Sequence, residues 1–468
     1  MCAKILAQIT CQRRIIIKGN IKITITILAL MVSVQAMADD EEDCYRTSGD
    51  IKISACTHII ESDRWQGANL YWAYENRGLA KRDKGDIDGA IIDFNRAIEL
   101  DSKDASVYSN RGIAKKRKGD LDGAIADYNH AIELDPKDAM AYNNRGSAKK
   151  LKGDLDGAVA DYNRTLELDP RNIMAYNNRG NAKNDKDDFN GAVADFNRAI
   201  ELDPKFSPAY YNRGNAKKRK GDLDGAVADY NRTLELDPKN AMAYNNRAIA
   251  KWAKGDLDGA IVDYSHTIEL DPKFAPAYSN RGLAKGAKGD LDGTIADFNH
   301  AIELDPKEAS VYSNRGIAKN RKGDLDGAIA DFNRAIELDA KYAGACSGKG
   351  YLLIYLKRYD EAIDALLKAL ALDEKNRGAR NNMALALMKR KKGNDAEKSR
   401  VISEQVLREN SKDRSAAYAY ANLGRKKELF FLLNDLVAKD ASLIRQLKED
   451  VEFDPYRADP QFKAIVGE

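Results

Sequence analysis

Between Tyr71 and Asn376 the apolar positions recur with two periods at once. Within short stretches they fall three and four residues apart, the spacing of one helix face. Over a longer distance the whole pattern of apolar, small and charged positions returns. The stretch Ala105–Asp138, ASVYSNRGIAKKRKGDLDGAIADYNHAIELDPKD, reappears as AMAYNNRGSAKKLKGDLDGAVADYNRTLELDPRN from Ala139, a step of 34 residues. Further copies start at Ile173, Ser207, Ala241, Ala275 and Ala309, with one upstream at Tyr71. A fixed period of this length means an array of small units, none able to bury its own apolar face alone.

Each unit predicts two helices and two turns. Val107–Lys118 lacks proline and carries Tyr108, Gly112 and Lys115 at helical spacing. Gly119 can take the left-handed conformation that closes a helix. Asp120 then caps a second helix, with Asp122 in its favourable first turn. Ala124, Tyr128 and Ala131 form one apolar stripe on that helix. Asp135-Pro136 ends it, because a residue before proline is pushed out of the helical region.

The positions of Tyr108, Gly112, Ala124, Tyr128, Ala131 and Pro136 carry the aromatic, Gly, Ala, aromatic, Ala and Pro signature of the tetratricopeptide repeat, which this chain resembles over nine units, residues 71–376. The resemblance implies an all-α fold, a right-handed α-solenoid of tetratricopeptide helical hairpins. Several positions depart from the pattern. Ala248 replaces a close-packing glycine and Thr294 a second-helix alanine. Asp187 replaces a turn glycine, and Asp enters the left-handed region more easily than most residues. Pro208 and Pro276 open helices, where a missing N–H costs little. Ser102, Ala340 and Glu374 stand in for the terminating proline, so those connections are expected to be less sharply broken. Arginine from Arg77 to Arg315 occupies the position where the family usually has leucine.

Past Lys341 the sequence becomes more apolar, with Leu353 and Leu366 at core spacing. Residues 381–392 and 395–410 read as a degenerate hairpin, 416–424 and 426–438 as another, and 443–449 as a further helix. The tail then lays Phe453, Tyr456 and Phe462 over the last exposed face. The expected organisation is therefore 1–38 as a signal segment, 39–70 as an N-terminal cap, 71–376 as repeats, and 377–468 as degenerate repeats and C-terminal cap. Terminal units of such arrays differ from the rest because they must seal the stack.

Charge and cysteine usage sharpen this picture. Charged residues make up 32% of the 468, above the roughly 25% of ordinary domains, which suits an array with much surface and a thin core. Residues 1–38 hold five of the 76 basic side chains and no acid, leaving 71 against 73 acids, a net charge of −2. Near-neutrality speaks against a nucleic-acid partner. A basic start, the apolar run Ile23–Val34 and Ala36-Met37-Ala38 read as a cleavable secretory signal. That run of 12 residues is short of the roughly 20 a spanning helix needs, so no membrane span is expected after cleavage. Cys44 and Cys56 would then be paired in an oxidising compartment, or remain two buried thiols, while Cys346 replaces a repeat aromatic as a small buried residue.

Candidate chemistry is sparse. His130, His266 and His300 share an offset with Arg96, Arg164, Arg198, Arg232 and Arg334 and read as variants of a surface basic position. The expectation is no catalytic residue, no metal site and no cofactor. Two ladders stand out instead. Arg77, Arg111, Arg145, Arg179, Arg213, Arg247, Arg281 and Arg315 are matched by Asp93, Asp127, Asp161, Asp195, Asp229, Asp263, Asp297 and Asp331, a bridge within or between units. The second ladder is Asn76, Asn110, Asn144, Asn178, Asn212, Asn246, Asn280 and Asn314. It resembles the asparagine ladder in the repeat domain of the O-linked N-acetylglucosamine transferase, whose catalytic domain has no counterpart in 377–468. The resemblance places it on the groove-lining helix, where an amide can grip a peptide backbone. Lys116, Lys150, Lys218, Trp72, Tyr211 and Trp252 are further groove candidates, although the aromatics could equally be packing residues. The expected function is a non-enzymatic scaffold, periplasmic or secreted, that binds an extended peptide or partner protein but no nucleic acid or small-molecule substrate. A structural spacer or assembly factor without a groove ligand is the alternative, and an accessory to an enzyme acting in trans a further one.

Overall fold

The computed structural model describes residues 40–62, 64–441 and 443–468. The segment read as a secretory signal lies outside the described residues. Helices dominate, and no strand occurs among the described residues. The chain divides into two units, one ending at Asp222 and one starting at Leu223.

The first unit opens with a helical turn at residues 40–46 and the helix Gly49–Glu61. Hairpins follow: Tyr71–Lys84 with Ile87–Leu100, Ala105–Lys118 with Leu121–Leu134, Ala139–Lys152 with Leu155–Leu168, and Ile173–Asp185 with Phe189–Leu202. Ser207–Lys220 is its last helix. The local causes are the expected ones. Gly119 closes its helix at φ 91°, and the Asp120 side chain accepts from the Gly123 N–H at 2.9 Å to cap the next. Asp187 takes the same left-handed turn at φ 62°.

Packing inside a hairpin depends on an aromatic lying against a glycine. A Cβ placed on Gly112 would stand 2.7 Å from the Tyr128 ring, and one on Gly180 2.7 Å from the Phe196 ring. Tyr128 and Phe196 are fully buried there, flanked by Ala124 and Ala148, and by Ala192 and Ala216. Each such aromatic contributes about 1.5–3 kcal/mol by burial.

One expectation fails. The connections lacking proline are broken as sharply as the others. Asp101, Asp339 and Asp373 have φ/ψ near −140°/100°, −137°/96° and −141°/89°, like Asp135 before Pro136 at −131°/92°. The aspartate side chain does the work. Its Oδ1 accepts from the backbone N–H two residues on, Lys103 at 2.9 Å, Lys341 at 2.9 Å and Lys375 at 3.1 Å, as Asp135 does from Lys137 at 3.0 Å. A turn closed by the aspartate itself ends the helix without proline.

At the N-terminal end Cys44 and Cys56 form a disulfide. They lie in a small core with Ala55, Ile59 and Ala73, against which Trp65 and Trp72 pack.

The second unit begins with Leu223–Leu236 and continues through Ala241–Ala253 with Leu257–Leu270, Ala275–Lys288 with Leu291–Leu304, Ala309–Lys322 with Leu325–Leu338, and Ala343–Tyr355 with Tyr359–Leu372. Ala248, in a glycine position, is fully buried beside Tyr264, so this hairpin accommodates one methyl group. Thr294 is buried in an alanine position because its hydroxyl donates to backbone oxygens of Gly282 at 3.1 Å and Asp290 at 2.6 Å. Cys346 is buried and unpaired.

Arg377–Arg390 with Asp395–Glu409, and Arg414–Asn422 with Lys426–Lys439, form the last hairpins. Leu443–Glu449, the short turn Val451–Tyr456 and Pro460–Val466 then fold back over them. Phe453, Tyr456 and Phe462 close a core with Leu429, Phe430 and Leu433, and the Tyr456 hydroxyl donates to the Ala421 carbonyl at 3.0 Å. This seals the apolar face that a further repeat would otherwise cover.

Candidate interaction surface

Within each unit the second helix of a hairpin packs on the first helix of the next, and successive first helices also touch. Among the described residues no pair of successive second helices makes a comparable contact. The first helices therefore lie on the tighter side of each stack, and the arginines and asparagines of the two ladders stand on them.

The Arg–Asp ladder is formed within hairpins. Arg77, Arg111, Arg145 and Arg179 in the first unit, and Arg247, Arg281 and Arg315 in the second, grip the Asp sixteen residues on with two parallel bonds. Nη2–Oδ1 distances run 2.5–2.8 Å and Nε–Oδ2 distances 2.8–3.0 Å. The remaining Nη1 reaches the preceding second helix: Arg145 to Asn129 at 2.8 Å, Arg179 to Asn163 at 2.7 Å, Arg315 to Asn299 at 2.7 Å. One guanidinium thus ties two hairpins together. It also sits over the ring of the tyrosine three residues before it, at 5.3–5.7 Å.

A third ladder escaped the sequence reading. Lys81, Lys115, Lys149, Lys183, Lys251, Lys285 and Lys319 bind the same aspartates at 2.8–2.9 Å. Each lysine lies four residues after its arginine, one turn along the same helix face, a spacing that was available as a signal. Each aspartate, with no more than 5% of its side chain exposed, therefore answers two cations.

All eight ladder asparagines are half-buried. Several are occupied by neighbours. Asn178 donates to Asn143 Oδ1 at 3.2 Å, and Asn212 to Asn177 Oδ1 at 2.9 Å, each across adjacent repeats. Asn110 donates to Glu75 at 3.2 Å and accepts from Arg82 at 3.1 Å, while Asn76 donates to its own helix at Trp72. Asn110, Asn178 and Asn212 thus each bond the residue that precedes the ladder asparagine one repeat earlier, a pairing invisible without the stack.

The other candidates fall into different places. Lys116 and Lys218 are half-buried, and burial pushes both ammonium groups below the usual lysine range, with Arg117 adding to the effect at Lys116. Lys116 donates to the Ser147 hydroxyl at 3.3 Å, and Lys150 pairs with Asp185 at 2.8 Å. Trp72 belongs to the N-terminal cap, stacked on Tyr45 with ring centroids 4.6 Å apart and edge-on to Trp65. Trp252 packs on the core of Ala248, Ala260, Tyr264 and Ala284. Packing accounts for both indoles. Tyr211 is half-buried. His130, His266 and His300 pair with glutamates three residues on, at 3.2, 3.0 and 3.1 Å, as Arg164 and Arg198 do.

A family model described as "TPR repeat" matches residues 78–119, 115–153, 146–184, 180–221, 214–255 and 250–289. Two models described as "Tetratricopeptide repeat" match 280–343 and 343–376. No curated protein matches. Among solved structures, MamA is 32% identical over 35% of this chain and 96% of its own, with a TM-score of 0.33. A tetratricopeptide repeat protein from Parabacteroides merdae is 22% identical over 53% and 98%, at 0.44. Yeast Tom70 is 17% identical over 85% and 99%, at 0.43.

Proposed function

The chain belongs to the tetratricopeptide repeat family, and from that premise we propose that it is a non-enzymatic scaffold binding an extended peptide, or an extended segment of a partner protein, along its first helices. The supporting observation is the asparagine row. Half-buried Asn178 and Asn212 each donate a hydrogen bond to the neighbouring repeat, so their amides are oriented before any ligand arrives. An amide carries two hydrogens and two lone pairs, which leaves capacity for a peptide N–H or C=O after one such bond. Each ligand bond contributes about 0.5–1.5 kcal/mol net, so several must act together.

The test is a screen of extended peptides against the full chain, followed by Asn144→Ala, Asn178→Ala and Asn212→Ala combined. Peptide affinity is expected to fall by at least about tenfold, some 1.4 kcal/mol, with helicity unchanged. A selected peptide that binds the triple variant as well as the parent defeats this reading. The asparagine–asparagine bonds also favour a second reading, a spacer in which these amides only fix repeat register. A variant that loses melting temperature, in a chain that selects no peptide, would support the spacer.

We propose further that the protein works in the periplasm or outside the cell, and that the chain is organised as signal 1–38, cap 39–70, repeats 71–376 and C-terminal cap 377–468. The disulfide supports an oxidising compartment, and no described helix is long and apolar enough to cross a membrane. Intact mass of protein recovered from the periplasm or medium is expected to correspond to a chain starting at Asp39. A cytosolic species retaining Met1 refutes export.

A further inference from the structure

The C-terminal fold-back borders an open cavity of about 270 Å³ that neither the repeat array nor its ladders explain. Tyr351, Asn381, Ser415, Tyr418, Asp450 and Glu452 line it. Three of the last first helices supply Tyr351, Asn381, and Ser415 with Tyr418, while Asp450 and Glu452 come from the turn after Leu443–Glu449.

The two buried side-chain polar atoms of its lining that lack a hydrogen-bond partner are both acceptors. Asp450 is largely buried, with Oδ1 accepting from the Tyr351 hydroxyl at 3.2 Å and Oδ2 from the Tyr418 hydroxyl at 2.5 Å. Glu452 is 5% exposed and its Oε2 has no hydrogen-bond partner. Asn381 is 2% exposed; its amide nitrogen donates to the Ser415 carbonyl at 3.0 Å, yet its Oδ1 has no partner. Arg414 near Asp450 and Lys389 near Glu452 act through space without forming an ion pair. A buried carboxyl oxygen and a buried amide oxygen without protein donors cost free energy unless a ligand supplies them.

We propose that this cavity binds a primary alkylammonium group. An ammonium has three N–H donors and no acceptor. It can donate to Glu452 Oε2 and to Asn381 Oδ1, the unpartnered acceptors of the two lining residues. A bare divalent cation fits poorly, since calcium takes six to eight oxygens. No cluster of three metal-ligating side chains occurs among the described residues. The volume lies just below the range of sites for small organic ligands, which suits a head group rather than a large molecule. The site goes beyond the peptide-binding reading and stands whether or not the asparagine row binds a chain.

Protonation supports the same chemistry. Burial, reinforced by Asp450 and Asp454 and opposed by its own backbone N–H and Lys389, pushes the Glu452 carboxyl up to about 8. Burial also raises Asp450, Tyr351 and Tyr418, so these groups hold their protons more firmly than in water. Binding an ammonium to ionised Glu452 then expels one proton at neutral pH, and affinity rises with pH.

The probe is n-propylammonium chloride, titrated calorimetrically into the full chain. N-acetyl-lysine methylamide is the second probe and tetramethylammonium, which has no N–H, the control. Saturable binding of either amine is expected, with affinity rising about tenfold per pH unit below 8. Glu452→Gln is expected to weaken it at least about tenfold. Tighter binding of the acetyl-lysine probe assigns the ligand to a lysine side chain of a peptide; tighter binding of propylammonium assigns it to a free small amine. The proposal is overturned if neither amine saturates, if tetramethylammonium binds as well, or if Glu452→Gln leaves affinity unchanged. Should that variant misfold, a flat pH dependence in the parent chain overturns it equally. Peptide binding through the asparagine row is unaffected by any of these outcomes.

Discussion

Asp195→Ala is expected to destabilise the repeat array by about 3–5 kcal/mol, the cost of leaving a covered charge without its partner. The carboxylate holds Arg179 at 2.5 and 2.9 Å and Lys183 at 2.8 Å. Those two cations are 18% and 23% exposed, so water replaces little of what the aspartate gave them. Asn163 still accepts from Arg179 Nη1, but a neutral amide cannot balance two charges. Asp195→Asn is expected to cost nearly as much, because its NH2 group would face the same donors. Adding Lys183→Met to Asp195→Ala should return part of the loss, since neighbouring sites couple. Urea unfolding followed by helical circular dichroism measures all three. A loss below about 0.5 kcal/mol for Asp195→Ala, the size of an ordinary surface change, would show that the node is effectively solvated.

The second large effect is expected at the N-terminal end. Removing the Cys44–Cys56 crosslink, by reduction or by Cys44→Ala with Cys56→Ala, should cost the cap about 3 kcal/mol, the loop entropy that a ring of this size withholds from the unfolded chain. Its own core is small, Ala55, Ile59 and Ala73 around the two sulfurs, so little else resists opening. Two of the three tryptophans, Trp65 and Trp72, pack there, and Trp72 stacks on Tyr45 one residue after Cys44. Intrinsic fluorescence therefore reports the cap before circular dichroism reports the repeats. The expected result is a red shift on reduction at a denaturant concentration where helicity is retained. Coincident loss of both signals, with no change in midpoint between oxidised and reduced protein, would mean that the crosslink stabilises nothing locally. In a linear array the opening should pass inward through the Tyr71–Leu100 hairpin, because each repeat leans only on its neighbours.

The repeat period, the helical hairpin, its Asp120-type cap and the left-handed Asp187 were legible in the amino-acid sequence because each is decided within one turn of chain. Backbone conformational preference and helical spacing act locally, and repetition displays them many times over. The Arg–Asp pairing was legible as a ladder but not as a geometry. Whether Arg179 reached Asp195 of its own hairpin or an aspartate of the next depended on how second helices lie on first helices. The fold makes it both an intra-hairpin ion pair and, through Asn163, an inter-hairpin tie. The sharp stop at Asp101, Asp339 and Asp373 is not legible from the missing proline, because the aspartate side chain makes that turn alone.

The asparagine row shows the division most clearly. Its regular offset was plain in the sequence, but that Asn178 donates to Asn143 and Asn212 to Asn177 follows from register between neighbouring repeats. Trp72 likewise carried no mark of belonging to the cap until Tyr45 was folded against it. Nothing in the amino-acid sequence sets Asp450 and Glu452 apart from the other acids of the tail. Only the fold-back of that tail over Tyr351 and Tyr418 buries them, because the last hairpin exposes an apolar face that Phe453, Tyr456 and Phe462 must cover. Local chemistry thus determined what each unit is, and the need to seal the end of a stack, which no single unit expresses, decided where its buried acids lie.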